Sequence, residues 1–162
     1  MSDAPKKKPY ATLLAAAIAV IFLGQPYWGA LLVIWVAGWA FRTAYAMLQK
    51  PADRAEEIVK AVIWVIAFSL VAAIHLARLG EIRHKADAVV AEIKDYATRH
   101  GHYPTNPEEI GLTHDVLKKR LGVSGDYRNS GNRAILVYDS TFFAFARYTY
   151  EFASNEWWYD AD

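Results

Sequence analysis

The residue types best suited to chemistry in this chain are its histidines, its paired carboxylates and a few hydroxyls. His100 and His102 form a His-x-His pair, with His84 and His114 nearby in sequence. Zinc requires three or four converging ligands, and an extended His-x-His pair supplies two. Spacing places no third ligand beside them, so no metal site is expected. There is no cysteine, which excludes disulfides and thiolate metal centres. The pairs Glu56/Glu57 and Glu108/Glu109 are sequence neighbours near helix starts, where acids complement the helix dipole and need not converge on a substrate. Ser140 and Thr141 fall in a predicted turn, with no Gly-x-Ser-x-Gly and no phosphate-cradling Gly-rich loop in the chain. The expectation is a non-enzymatic protein with no cofactor and no small-molecule substrate. A net negative C-terminal half disfavours nucleic acid as a partner. The aromatic side chains remain. Phe143, Phe145, Trp157, Trp158 and Tyr159 are the candidate protein-binding residues, because an exposed cluster of large rings marks a partner surface.

Those residues are positioned by a chain with two unlike halves. Residues 1–79 carry eight Lys/Arg and four Asp/Glu (8 − 4 = +4), and residues 80–162 carry ten and thirteen (10 − 13 = −3). Pro9 to Phe41 contains no charged residue, and neither does Ala61 to Ala77. A single helix over the first run would be about 50 Å long, against a hydrocarbon core of about 30 Å. Gly24-Gln25-Pro26-Tyr27-Trp28-Gly29 interrupts that run, which predicts a tight helical hairpin. Three transmembrane helices follow, over about 10–23, 27–47 and 58–79, making residues 1–79 a membrane anchor. The first is short for a span. Tyr10, Tyr27 and Trp28 suit the aromatic belts of a bilayer.

Charge gives an expected orientation. Lys6, Lys7 and Lys8 precede the first helix, and Arg42, Lys50, Arg54 and Lys60 lie in or near the second loop. The first loop has no Lys or Arg. The positive-inside rule then puts the N-terminus in the cytoplasm of a bacterial inner membrane and residues 80–162 in the periplasm. Pro51 should end the second helix, and Asp53 should cap the third. No charge lies inside a predicted span away from its ends, which disfavours a transporter. His75, near the outer end of the third span, reads as an interfacial histidine satisfied by water.

The C-terminal half reads as α+β. Ile82, Ala86, Val89, Ile93 and Tyr96 recur at three- and four-residue steps, predicting a helix over 81–99 with one apolar stripe. Gly101 stops it. Asn106-Pro107-Glu108-Glu109 starts a short helical turn, and Thr113 caps another that runs to Leu121 before Gly122. Lys118-Lys119-Arg120 then complements the C-terminal end of that helix. Gly125, Asn129, Ser130, Gly131 and Asn132 suggest a mobile loop. Ala134–Tyr138 reads as a strand, Phe142–Phe152 as a long strand of period two, and Glu156–Asp160 as a last strand. In the long strand Phe142, Ala144, Ala146, Tyr148, Tyr150 and Phe152 should face the helix, leaving Phe143, Phe145, Arg147, Thr149 and Glu151 on the outer face. Alternation also puts Trp157 and Tyr159 on one side and Trp158 on the other. The fold class expected is three transmembrane helices followed by one long helix packed on a three- or four-stranded antiparallel sheet.

Ala88-Val89-Val90-Ala91-Glu92-Ile93-Lys94-Asp95-Tyr96 leading into Gly101-His102-Tyr103-Pro104 resembles the end of the long helix in type IV pilins and type II secretion pseudopilins. The resemblance covers about residues 78–160 and implies a pilin-like periplasmic domain. The chain departs from the family in lacking the prepilin cleavage motif before any span, and in having three predicted membrane segments where a mature pilin has one. A polymerising subunit is therefore not expected. The expectation is an inner-membrane protein whose partners are the lipid bilayer and another protein. One concrete form is an immunity protein against a toxin acting in the periplasm or membrane. The other is an accessory component of a type IV pilus or secretion machine.

Overall fold

The computed structural model describes residues 10–49, 54–131, 133–143 and 145–161. The expectations resting on Lys6–Lys8, Lys50, Pro51, Asp53, Asn132 and Ala144 lie outside the described residues. The chain divides into two compact units, Met1–His75 and Leu76–Asp162.

In the first unit, α1 (Tyr10–Leu23) and α2 (Gly29–Gln49) are joined by the expected tight connection. Tyr27 has a φ of 71°, a left-handed conformation that a helix interior does not admit, so α2 begins two residues later than the sequence suggests. It also continues to Gln49, which places Arg42 about two turns inside its C-terminal end. The third helix, α3 (Arg54–His100), runs without interruption through both units. Gly80 does not break it, because glycine weakens a helix by about 1 kcal/mol yet keeps the backbone donor. Apolar side chains bring the helices together: Ala19 and Leu23 of α1, Leu32 of α2, and Phe68 and Val71 of α3 form one buried cluster. Trp39 meets Phe68 edge-on at 5.4 Å between centroids, and Trp64 stacks on Phe68 at 5.3 Å.

His75 corrects the sequence reading. It is buried (1% exposed), and its Nε2–H donates to the Leu23 carbonyl at 2.8 Å. A carbonyl only accepts, so this contact fixes the proton on Nε2. It satisfies one of the carbonyls that the last turn of α1 leaves without an intrahelical donor. Among the described residues, α2 and α3 are long and apolar enough to cross a membrane; α1 is apolar but has only 14 residues.

The second unit is a helix packed on a sheet. α3 contributes Ile82, Ala86, Val89, Val90 and Ile93 to the core, most of the expected stripe. Tyr96 sits at its edge, half-buried, and donates its hydroxyl to Glu109 at 2.9 Å. Gly101, with φ 78°, ends the helix in the left-handed region. A 3₁₀ turn follows at Pro107–Ile110, where the Glu109 carboxylate accepts from the backbone of Thr105 and Asn106 at 3.3 Å each. Then comes α4 (His114–Leu121), whose Thr113 cap accepts from Val116 N–H at 3.3 Å. Its Leu117 and Leu121 are buried in the core.

Four antiparallel strands complete the unit in the order β1 (Gly125–Asn129), β2 (Ala134–Asp139), β3 (Ala146–Glu151) and β4 (Glu156–Ala161). Two expectations change here. The segment read as a mobile loop is largely β1, paired with β2 from Gly125↔Tyr138 to Asn129↔Ala134. The long strand expected over Phe142–Phe152 is β only from Ala146. The Ser140 hydroxyl accepts from the N–H of Phe142 and of Phe143, and Ser140 N–H donates to the Ala146 carbonyl at 2.8 Å. Those bonds turn the chain before the ladder begins. Ala146, Tyr150 and Phe152 are buried as expected, and Tyr148 is partly buried against the core.

Candidate functional site

The five candidate aromatic residues separate into three environments. Phe143 and Phe145 belong to the β2–β3 loop rather than to the outer face of a strand. Phe143 packs edge-on against Phe142 at 4.8 Å and is still 39% exposed, and Phe145 is 82% exposed. Trp158 stands opposite Thr149 on the outer face of the sheet, 55% exposed. Trp157 and Tyr159 share the other face, as alternation requires.

Trp157 is committed to the fold. Its ring lies 5.3 Å from Tyr138 and 5.0 Å from Tyr150. The Arg83 guanidinium sits 4.3 Å above it, and its Nε1–H donates to Asp87 at 2.9 Å. Arg83 and Asp87 are themselves an i, i+4 ion pair at 3.2 Å on α3. The indole is thus clasped between one turn of helix and the sheet, each of its two chemical faces satisfied: the π surface by a cation and the N–H by a carboxylate. Tyr159 lies 5.0 Å from Tyr148, which stacks on Tyr138 at 5.2 Å. Burial pushes the Tyr138 hydroxyl up to about 12, against the opposing influence of Arg83, and burial also raises Tyr148.

The candidate rings left exposed are therefore Phe143 and Phe145 in the β2–β3 loop, Trp158 on the outer face and Tyr159 at the edge of the ring stack on the other face. Because β4 ends the strand order, Trp158 and Tyr159 lie on a sheet edge that, among the described residues, has no further strand beside it. At the opposite end of this unit's helix, Asn155 anchors the β3–β4 turn to Lys94 and to the Tyr150 hydroxyl.

A concave region on the outer face of the sheet was not anticipated from the sequence. A groove of about 410 Å³ is lined by residues including His114, Asp126, Arg128, Asp139, Arg147 and Asp160. Arg128 pairs with Asp126 at 2.7 Å and Arg147 with Asp139 at 3.5 Å. Both signs of charge line the groove, with the two arginines paired to two of the three aspartates, so it offers no single sign of charge to a ligand. Reading Gly125–Asn129 as a loop hid it, since Asp126 and Arg128 reach this face only as members of a strand.

The Gly-x-Tyr-Pro element has a structural role. The Pro104 carbonyl accepts from the Tyr127 hydroxyl and from Asn129 Nδ2, each at 2.9 Å, tying the segment after α3 to β1. Burial pushes the Tyr127 hydroxyl up to about 12, with Glu109 and Tyr103 adding to the shift. His100 stacks on Tyr96 at 4.0 Å, and the His100 and His102 rings are 6.5 Å apart. Among the described residues, no group of three or more His, Asp or Glu side chains is arranged to hold a metal ion. Compared with family models, characterised proteins and solved structures, the chain matches none.

Proposed function

We propose that this is a non-enzymatic bacterial inner-membrane protein that presents its C-terminal domain to the periplasm for protein recognition. The observation that carries the recognition reading is the exposure of Phe143, Phe145, Trp158 and Tyr159 on a domain whose core is already closed. Large rings left in water cost free energy that a partner surface recovers. Membrane anchoring is supported by the apolar, outward-facing surface of the first unit, where Leu14, Ile18, Ile34, Val62 and Ile66 are all at least half exposed. The basic residues around the α2–α3 connection favour a cytoplasmic loop and a periplasmic domain.

The concrete form we favour is an immunity protein that neutralises a toxin acting in the periplasm or membrane. The test is a competition assay between a toxin-producing strain and strains carrying the native chain, a deletion, or Phe145→Ala with Trp158→Ala. Protection should be lost in the deletion and reduced at least tenfold in the double variant. Equal survival of all three strains would refute this role. A helix packed on an antiparallel sheet also favours the second reading, an accessory component of a pilus or secretion machine. In that case crosslinking from native membranes should recover pilus or secretion subunits, and the double variant should lose them.

A further inference from the structure

A groove of about 360 Å³ lies in the first unit, lined by Ile34, Trp35, Gly38, Trp39 and Arg42 of α2 and Trp64 of α3. Trp35, Gly38, Trp39 and Arg42 fall at i, i+3, i+4 and i+7, so one helix face carries both the aromatic walls and the cation. Trp35 and Trp64 touch in a tilted arrangement with centroids 6.5 Å apart, and together they form an aromatic wall of the groove. Gly38 forms an opening between the walls. A Cβ built there meets nothing within 4 Å, so close packing does not require glycine at this position. A side chain there would instead occupy the groove. Arg42 is exposed and, among the described residues, forms no ion pair, whereas Lys60 on α3 is held by both Glu56 and Glu57 at 2.8 Å.

We propose that this groove binds one acyl chain of an anionic phospholipid, with Arg42 holding the headgroup phosphate. The site rests on the membrane reading above. The walls match a hydrocarbon chain, and the distance from Ile34 to Arg42 along the helix is about 12 Å, so chain and headgroup fall at successive depths. Arginine is suited to phosphate because its planar fork donates two parallel hydrogen bonds. A net negative headgroup is favoured over a zwitterionic one, whose own ammonium competes with Arg42. One basic residue at a membrane surface corresponds to about fivefold preference for an anionic lipid.

The test uses the full chain in lipid nanodiscs, carrying Trp28→Phe, Trp157→Phe and Trp158→Phe so that emission comes from Trp35, Trp39 and Trp64. The probes are phosphatidylglycerol and phosphatidylcholine with brominated acyl chains, which quench tryptophan on contact. Brominated phosphatidylglycerol should quench about five times more effectively per mole. The ratio should fall to about one in Arg42→Gln and be largely kept in Arg42→Lys. Gly38→Leu, which fills the groove without touching the charge, should also reduce it. Equal quenching by the two lipids would overturn the site while leaving the anchor intact. An unchanged preference in both Arg42→Gln and Gly38→Leu would do the same. Failure of the chain to enter the nanodisc, with no quenching by either lipid, would overturn the membrane reading and the site together.

Discussion

Trp157 and Trp158 are neighbours with opposite duties. Alternation along β4 was legible in the sequence, and it correctly separated the two rings. What it could not supply was the Arg83–Asp87 clasp, because those residues are about seventy positions away in sequence and look like any solvated i, i+4 pair. Trp157→Ala removes a half-buried ring and should destabilise the domain by about 2 kcal/mol in urea unfolding of the detergent-solubilised chain. Trp158→Ala should change stability by less than about 0.5 kcal/mol, so any loss of partner binding in it reports recognition rather than folding. If Trp157→Ala proved neutral, the clasp would not be a stabilising contact. Tyr127 and Tyr138 give a pH signature. Both hydroxyls are held up at about 12 in the folded chain, against an ordinary value near 10. Below pH 10 both states are neutral and the two groups add no pH dependence. Between about pH 10 and 12 the unfolded chain ionises first, so stability falls as pH rises. Tyr127→Phe should lose about 1 kcal/mol at pH 8, since Asn129 still donates to Pro104, and should flatten the alkaline decline. A decline equally steep in the variant would remove Tyr127 as its source.

At the scale of elements, capping signals were the most legible. Thr113 and Gly122 bound α4 as their chemistry requires, and Gly101 ends α3. Strand boundaries were less legible. The alternation across Phe142–Phe152 has the correct period, but a side-chain hydroxyl at Ser140 offers the backbone a turn instead of a ladder. β1 was missed for the complementary reason. Its glycine and asparagine suggest a loop, while its strand character comes from pairing with β2 and from burial of Tyr127. Tertiary context outweighs local preference there. Gly125 illustrates the packing that context imposes. A Cβ at Gly125 would lie 2.6 Å from Leu121 Cδ1, and Leu121 is fully buried in the core. Gly125→Ala should therefore destabilise the domain by about 1–2 kcal/mol through overpacking of the α4–β1 contact. Adding Leu121→Val should recover part of that loss. A stabilised Gly125→Ala would mean that Leu121 has room to move.

The whole molecule was legible as two unlike halves from charge and hydropathy alone, and the sheet of the second half was legible to within one strand. The charged groove and the Arg42 groove were not, since each depends on which faces two separate elements turn toward one another. The proposed orientation is directly measurable because the chain contains no cysteine. With a single cysteine introduced by Ser154→Cys, an impermeant thiol reagent added outside spheroplasts should label the protein. With Gln49→Cys it should label only after the membrane is opened. The reverse pattern would invert the topology and place the exposed aromatic residues in the cytoplasm.

The bond from His75 to the Leu23 carbonyl also has a consequence for biogenesis. Its two ends are separated by 52 residues. When α1 leaves the ribosome, the residue that completes its last turn has not been translated. That carbonyl must therefore be served by water or lipid headgroups until nearly half of α3 has been made. Arrival of His75 supplies the donor for that carbonyl, so the last turn of α1 is completed by a residue made 52 positions later.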